Sequence, residues 1–107
     1  MNHHLDTLIQ TWSQMTLSQQ LGNVGSEVSR MIKWRGKDDA IAERAFERML
    51  ELIDLTLQSQ VGGSRLREIA RAREVLVQTW QSQVATDNPA WESLNRYFLQ
   101  FALISNN

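Results

Sequence analysis

Apolar residues recur three and four positions apart along almost the whole chain, which is the period of an α-helix. Leu5, Leu8, Ile9, Trp12 and Met15 form the first stripe. Thr16 and Gln19 then carry the spacing of a capping box, in which each side chain bonds the other's backbone N–H. Leu17, Leu21, Val24, Val28 and Met31 make a second stripe, and Gly36 follows it where a left-handed residue ends a helix. Asp38 or Asp39 is placed to cap a third helix striped by Ala42, Phe46, Met49, Ile53 and Leu57 and widened by Ala45, Leu50 and Leu52. Gly62-Gly63 breaks the chain, and Ser64 is the expected cap of a fourth helix whose seam reads Leu66, Ile69, Arg73, Leu76, Trp80 and Val84. Asn88-Pro89 joins a capping side chain to a proline in the first helical turn, ahead of Leu94, Phe98, Phe101 and Ile104 or Ser105. The pattern predicts five helices, near residues 4–15, 17–35, 39–59, 65–85 and 89–104.

Short loops between helices of roughly 30 Å make neighbours antiparallel. The expected fold is therefore all-α, an up-down four-helix bundle with an additional short N-terminal helix, in one domain over residues 1–107. Five Gly and one Pro in 107 residues agree with long helices rather than a turn-rich β fold. With no cysteine, disulfides, thiolate metal sites and cysteine nucleophiles are excluded. Eleven basic against twelve acidic residues give a net charge of -1, which argues against a chain built as a whole to coat nucleic acid or an anionic membrane. No apolar run approaches the roughly 20 residues that span a bilayer. The opening Met1-Asn2-His3-His4-Leu5-Asp6 lacks the order of a secretory signal, so the cytoplasm is the expected compartment.

Few residues carry candidate chemistry. His3 and His4 are adjacent and have no further ligand at helical spacing, so neither a metal nor a cofactor is expected. Glu43, Glu47 and Glu51 form an acidic row beside Arg44 and Arg48, the usual pattern of a solvated face. Arg65, Arg67, Arg71 and Arg73 crowd a helix N-terminus, where the dipole disfavours cations. Two readings follow for them: pairing with Glu51 and Asp54 of the antiparallel third helix, or contact of Arg65, Arg67 and Arg71 with an anion or an acidic partner. Arg73 occupies a seam position, so it is expected to be at least two-thirds buried and bridged to Asp54 or Glu27. Gly22, Gly25, Ser26 and Ser29 put small residues on one face of the second helix, a mark of close helix packing. The aromatic residues fall mostly on the seams, while Trp34 and Trp91, at helix ends, are the ones placed to join an interface.

The segments Leu21–Val28, Ala45–Leu55, Arg65–Ile69 and Arg96–Ala102 resemble a family of short, uncharacterised, all-helical prokaryotic proteins, over roughly residues 17–102. More loosely the chain resembles the helical HEPN and nucleotidyltransferase-substrate-binding bundles. That resemblance implies a bundle fold and a protein partner; the Arg and His motif of the HEPN ribonucleases is absent, since the only histidines are His3 and His4. The expected function is non-enzymatic protein–protein contact, with a homodimer as the first form, motivated by the small-residue face and the surplus of apolar residues on the third helix. The alternative is an accessory protein that binds nucleic acid or a nucleotide phosphate through the Arg65–Arg73 cluster.

Overall fold

A computed structural model describes residues 3–59, 63–82 and 88–105, and among them every regular element is helical. The helices are α1 (His3–Ser13), α2 (Leu17–Trp34), α3 (Asp39–Ser59), α4 (Ser64–Gln81) and α5 (Pro89–Ser105). The chain is an all-α protein: α2 to α5 run up and down as a four-helix bundle, and α1 packs across the base of α3.

Local sequence sets the helix boundaries. Thr16 is extended (φ -68°, ψ 160°) and accepts from the Gln19 N–H at 3.1 Å, while its own N–H donates to Gln19 Oε1 at 2.9 Å. Because this capping box needs Thr16 outside a helix, α1 stops at Ser13 rather than Met15, and Gln14 and Met15 turn back on Thr11 and Trp12. α2 ends at Trp34. Gly36, at φ 81°, supplies the left-handed residue that lets the Lys37 and Asp38 N–H groups both reach the Trp34 carbonyl. Of the two candidate caps for α3, Asp38 serves, its carboxylate accepting from the Ile41 N–H at 3.2 Å. Asn88 Oδ1 accepts from the Ala90 N–H at 2.9 Å and opens α5.

The start of α4 differs from expectation. Ser64 is the first helical residue, and the capping position falls to Gly63, whose φ of 92° suits glycine and which has no side chain to cap with. α4 is described to Gln81, and Val84 lies outside the described residues.

α2 is the centre of the bundle. Leu21, Val24, Val28 and Met31 are fully buried; Ala45, Met49 and Ile53 of α3 join the same core, as do Leu94, Phe98 and Phe101 of α5. α3 is apolar beyond the stripe because it packs against more than α2. Leu52, Leu55 and Thr56 are also buried, and α1 packs on α3, with Trp12 4% exposed and bonded to Thr56. The apolar surplus on that helix is thus used within the chain.

In α4 the inward line also shifts. Positions 72 and 73 lie three and four residues after Ile69, and both fit the helical period. Ala72 packs against the core, Ile69, Leu76 and Thr79 are buried, and Arg73 takes the edge.

Candidate functional site

The small-residue face of α2 meets α5. A Cβ added at Gly25 would lie 2.9 Å from Phe98 Cβ and 3.3 Å from the Phe98 carbonyl carbon and oxygen. One added at Gly22 would lie 3.2 Å from Ala102 Cα, and Ser29 Oγ hydrogen-bonds Asn95 Oδ1. Gly22, Gly25 and Ser29 therefore bring two backbones of the same chain together, and this face is not free to receive a second copy.

The arginines of α4 diverge instead of converging. Arg65 turns toward α5, its guanidinium 5.7 Å from the Phe101 ring centre and its Nη1 3.2 Å from Glu68 Oε1. Arg73 turns toward α3. Arg67 and Arg71, one turn apart, look outward; Arg71 is bridged to Glu74 at 3.7 Å, and no ion pair among the described residues involves Arg67. Glu51, a proposed partner for the cluster, bonds Arg48 on its own helix at 3.3 Å.

Arg73 grips Asp54 with two hydrogen bonds, Nε to Oδ1 at 2.7 Å and Nη2 to Oδ2 at 3.4 Å. The Arg73 side chain is 35% exposed, close to the two-thirds burial expected of it, and Asp54 is more open at 44%. Glu27 takes no part in the pair. Its Oε2 lies 4.0 Å from Arg30 Nη1 and is buried without a hydrogen bond among the described residues. Of the two carboxylates expected to meet Arg73, Asp54 is therefore the partner and Glu27 is not, and the pair forms a two-residue clip at the α3–α4 edge.

Across α4, Tyr97 of α5 donates its hydroxyl proton to Glu68 Oε1 at 2.6 Å. Partial burial and then the Glu68 carboxylate push the Tyr97 hydroxyl well above the ordinary tyrosine range. Beside it, Ser93, Arg96 and Gln100 complete the lining of an open surface depression. Beyond that depression the outer side of α5 turns apolar: Leu99, Leu103 and Ile104 are 48%, 61% and 56% exposed. Phe98 and Phe101 fill the inward side, so the C-terminal end of α5 is apolar on both, while Glu92, Arg96 and Gln100 keep its earlier outward positions polar. Only Ile9 on α1, among the described residues, is a comparably exposed large hydrophobic side chain. Leu99 and Leu103 fall outside the Leu94–Phe98–Phe101 stripe, and Ile104, expected to continue that stripe, stands exposed instead, with the Ser105 side chain outside the described residues.

Two further clusters have structural roles that periodicity did not reveal. At the base, fully buried Gln20 donates to the Trp12 carbonyl at 2.7 Å and to Ser59 Oγ at 3.1 Å. Trp12 Nε1 in turn donates to Thr56 Oγ1 at 3.0 Å, so the network ties α1, α2 and α3 together. At the other end the Arg35 guanidinium sits 4.6 Å from the Trp91 ring and 5.6 Å from the Trp80 ring, with Trp80 stacked on Phe46 at 4.4 Å. Burial lowers the Arg35 pKa, and Asp39 opposes that shift. Trp91 is 1% exposed and belongs to the core, so of the two helix-end tryptophans only Trp34 remains partly exposed.

His3 and His4 fall in the first turn of α1, with their side chains outside the described residues. Among the described residues no three His, Cys, Asp or Glu side chains lie together where a metal would fit, and no helix is long and apolar enough to cross a membrane. No family model, curated protein or solved structure matches the chain.

Proposed function

We propose that the protein acts by contact with other proteins, without chemistry of its own, and that it pairs with a second copy of itself through the outer face of α5. The observation that carries this reading is the apolar face of Leu99, Leu103 and Ile104. Single exposed apolar residues are ordinary on a soluble surface, but Leu99 and Leu103, one turn apart on one face with Ile104 on its flank, present adjacent apolar side chains that a partner helix can cover. Every copy presents the same patch, and a two-fold pairing brings the two patches together in the commonest form of soluble oligomer. The loose resemblance to helical bundles that work through protein partners agrees with this reading, and the cytoplasm is proposed as the compartment from the opening residues alone. The arginine cluster gives no comparable support to phosphate binding, since Arg65, Arg71 and Arg73 already meet Glu68, Glu74 and Asp54.

Sedimentation equilibrium over the micromolar range tests the proposal. A dimer that becomes monomeric in the Leu99→Glu, Leu103→Glu double variant, with helicity unchanged by circular dichroism, is the expected result. A strict monomer at several hundred micromolar overturns it.

A further inference from the structure

α4 is held differently from the other helices of the bundle. α2 lies backbone-close to both α3 and α5, with Gly22 and Gly25 facing α5 and alanines of α3 in the same core. The α4 backbone stays farther from both of its neighbours. Side chains fill the gap, with Phe46 stacked on Trp80 and Arg65 over Phe101. Ile69, Leu76 and Thr79 are the buried side chains described in α4, against seven buried residues in α2. What secures its edges is polar and part-exposed: Arg73 to Asp54 on one side, Tyr97 to Glu68 on the other. Its first turn is also weak, since Gly63 offers no side-chain cap and the turn holds no acidic residue to offset Arg65, whose partner Glu68 lies in the next turn.

We propose that α4 is a strap that opens as one unit from the α2–α3–α5 core, ahead of global unfolding, and uncovers the surface carrying Phe46 and Phe101. Segments open independently when little apolar surface and few close contacts hold them, and the free energies of such openings run from near zero up to the global value. The two clips set how often the strap opens. This opening is separate from pairing through α5, whose Leu99 and Leu103 are exposed with α4 in place.

Native-state hydrogen exchange, read by mass spectrometry on the full chain at low micromolar concentration, tests the proposal. After correction for intrinsic rates, amides of residues 70–78 should exchange at least about tenfold faster than those of residues 23–31, which only global unfolding exposes. Tyr97→Phe and Asp54→Asn should each speed exchange in α4 about fivefold, the effect of one hydrogen bond, and leave α2 unchanged. Both variants keep the buried side chains intact, and the wild-type comparison stands without them. Equal protection of α4 and α2, or variants that speed both helices alike, would overturn the strap.

Discussion

Gly25→Ala separates helix propensity from helix packing, because the two act in opposite directions at this position. In the interior of a helix, alanine is favoured over glycine by about 1 kcal/mol. Gly25 lies well inside α2, so propensity alone makes the substitution stabilising. The added methyl group, however, would sit 2.9 Å from Phe98 Cβ, closer than such atoms tolerate, and 3.3 Å from the Phe98 carbonyl. Those atoms belong to the α5 backbone or are bonded directly to it, so no rotamer change relieves the clash and the two helices must part. Overpacking of this kind costs about 1–3 kcal/mol. Taking about 2 for the strain and about 1 for the propensity leaves a net loss of about 1 kcal/mol. With an m-value of about 2 kcal/mol/M, the urea midpoint should fall by about 0.5 M. Gly22→Ala is the internal control: its nearest new contact is 3.2 Å, a shift of a few tenths of an ångström relieves it, and the variant should be close to neutral. A Gly25→Ala protein that is about 1 kcal/mol more stable than wild type would show that the α2–α5 approach is looser than described.

Three other outcomes follow from the same contacts. Arg73→Ala should lose about 0.5–1 kcal/mol in thermal melts, and less in 0.5 M salt, because the Asp54 clip is part-exposed. A loss of several kcal/mol would mean that the pair is desolvated. Tyr97 is the only tyrosine, and its hydroxyl keeps its proton to a higher pH in the folded chain than in the unfolded one. Above about pH 10 the folded state therefore binds more protons, and stability should fall with rising pH by an increment that Tyr97→Phe lacks; an identical slope in the variant refutes the assignment. Trp12→Ala removes the anchor of α1 and the indole N–H that bonds Thr56, while keeping the main-chain carbonyl that Gln20 meets, for a loss of about 3–5 kcal/mol by urea titration. A loss under about 1 kcal/mol would show that α1 adds nothing to the fold.

Elements were legible in the sequence wherever short-range signals agreed. Thr16, Gly36, Asp38 and Asn88 each act within three or four residues, so cap and turn chemistry could be read without knowing the neighbours. Direction round a helix was harder to read. Stepping three or four residues from Ile69 reaches Ala72 or Arg73, and only the position of α3 decides which one enters the core. The same ambiguity hid Leu99 and Leu103, because an α5 whose C-terminal end is apolar on both sides obeys the helical period there whichever side faces in. Gln20 gave no sign of its burial. It lies beside the α2 stripe, and its partners, Trp12 and Ser59, are eight and thirty-nine residues away. Trp91 departs from its pattern for a related reason: a helix end is usually exposed, but this one is covered by Arg35 from the end of α2.

The two ways in which the bundle is held bear on how it can meet a partner. Close approach of α2 and α5 fixes the rotation of α5 about its own axis, because Phe98 has no room to turn against Gly25. Leu99 and Leu103 consequently stand outward at a set angle in the free chain. An interface on such a helix loses little conformational freedom when it forms, and binding free energy is largely retained when the ordering has been done in advance. α4 presents the contrary case, since a partner that bound its outer arginines would hold a helix still free to lift from the core. Helix rigidity thus favours the α5 face over the α4 face as the place of assembly, and it links the two halves of the proposal to one glycine. A Gly25→Ala chain that remains folded should therefore pair less tightly than wild type, although residue 25 lies inside the bundle and touches no partner. Unaltered pairing by sedimentation equilibrium would mean that the α5 face does not depend on the α2–α5 contact for its placement.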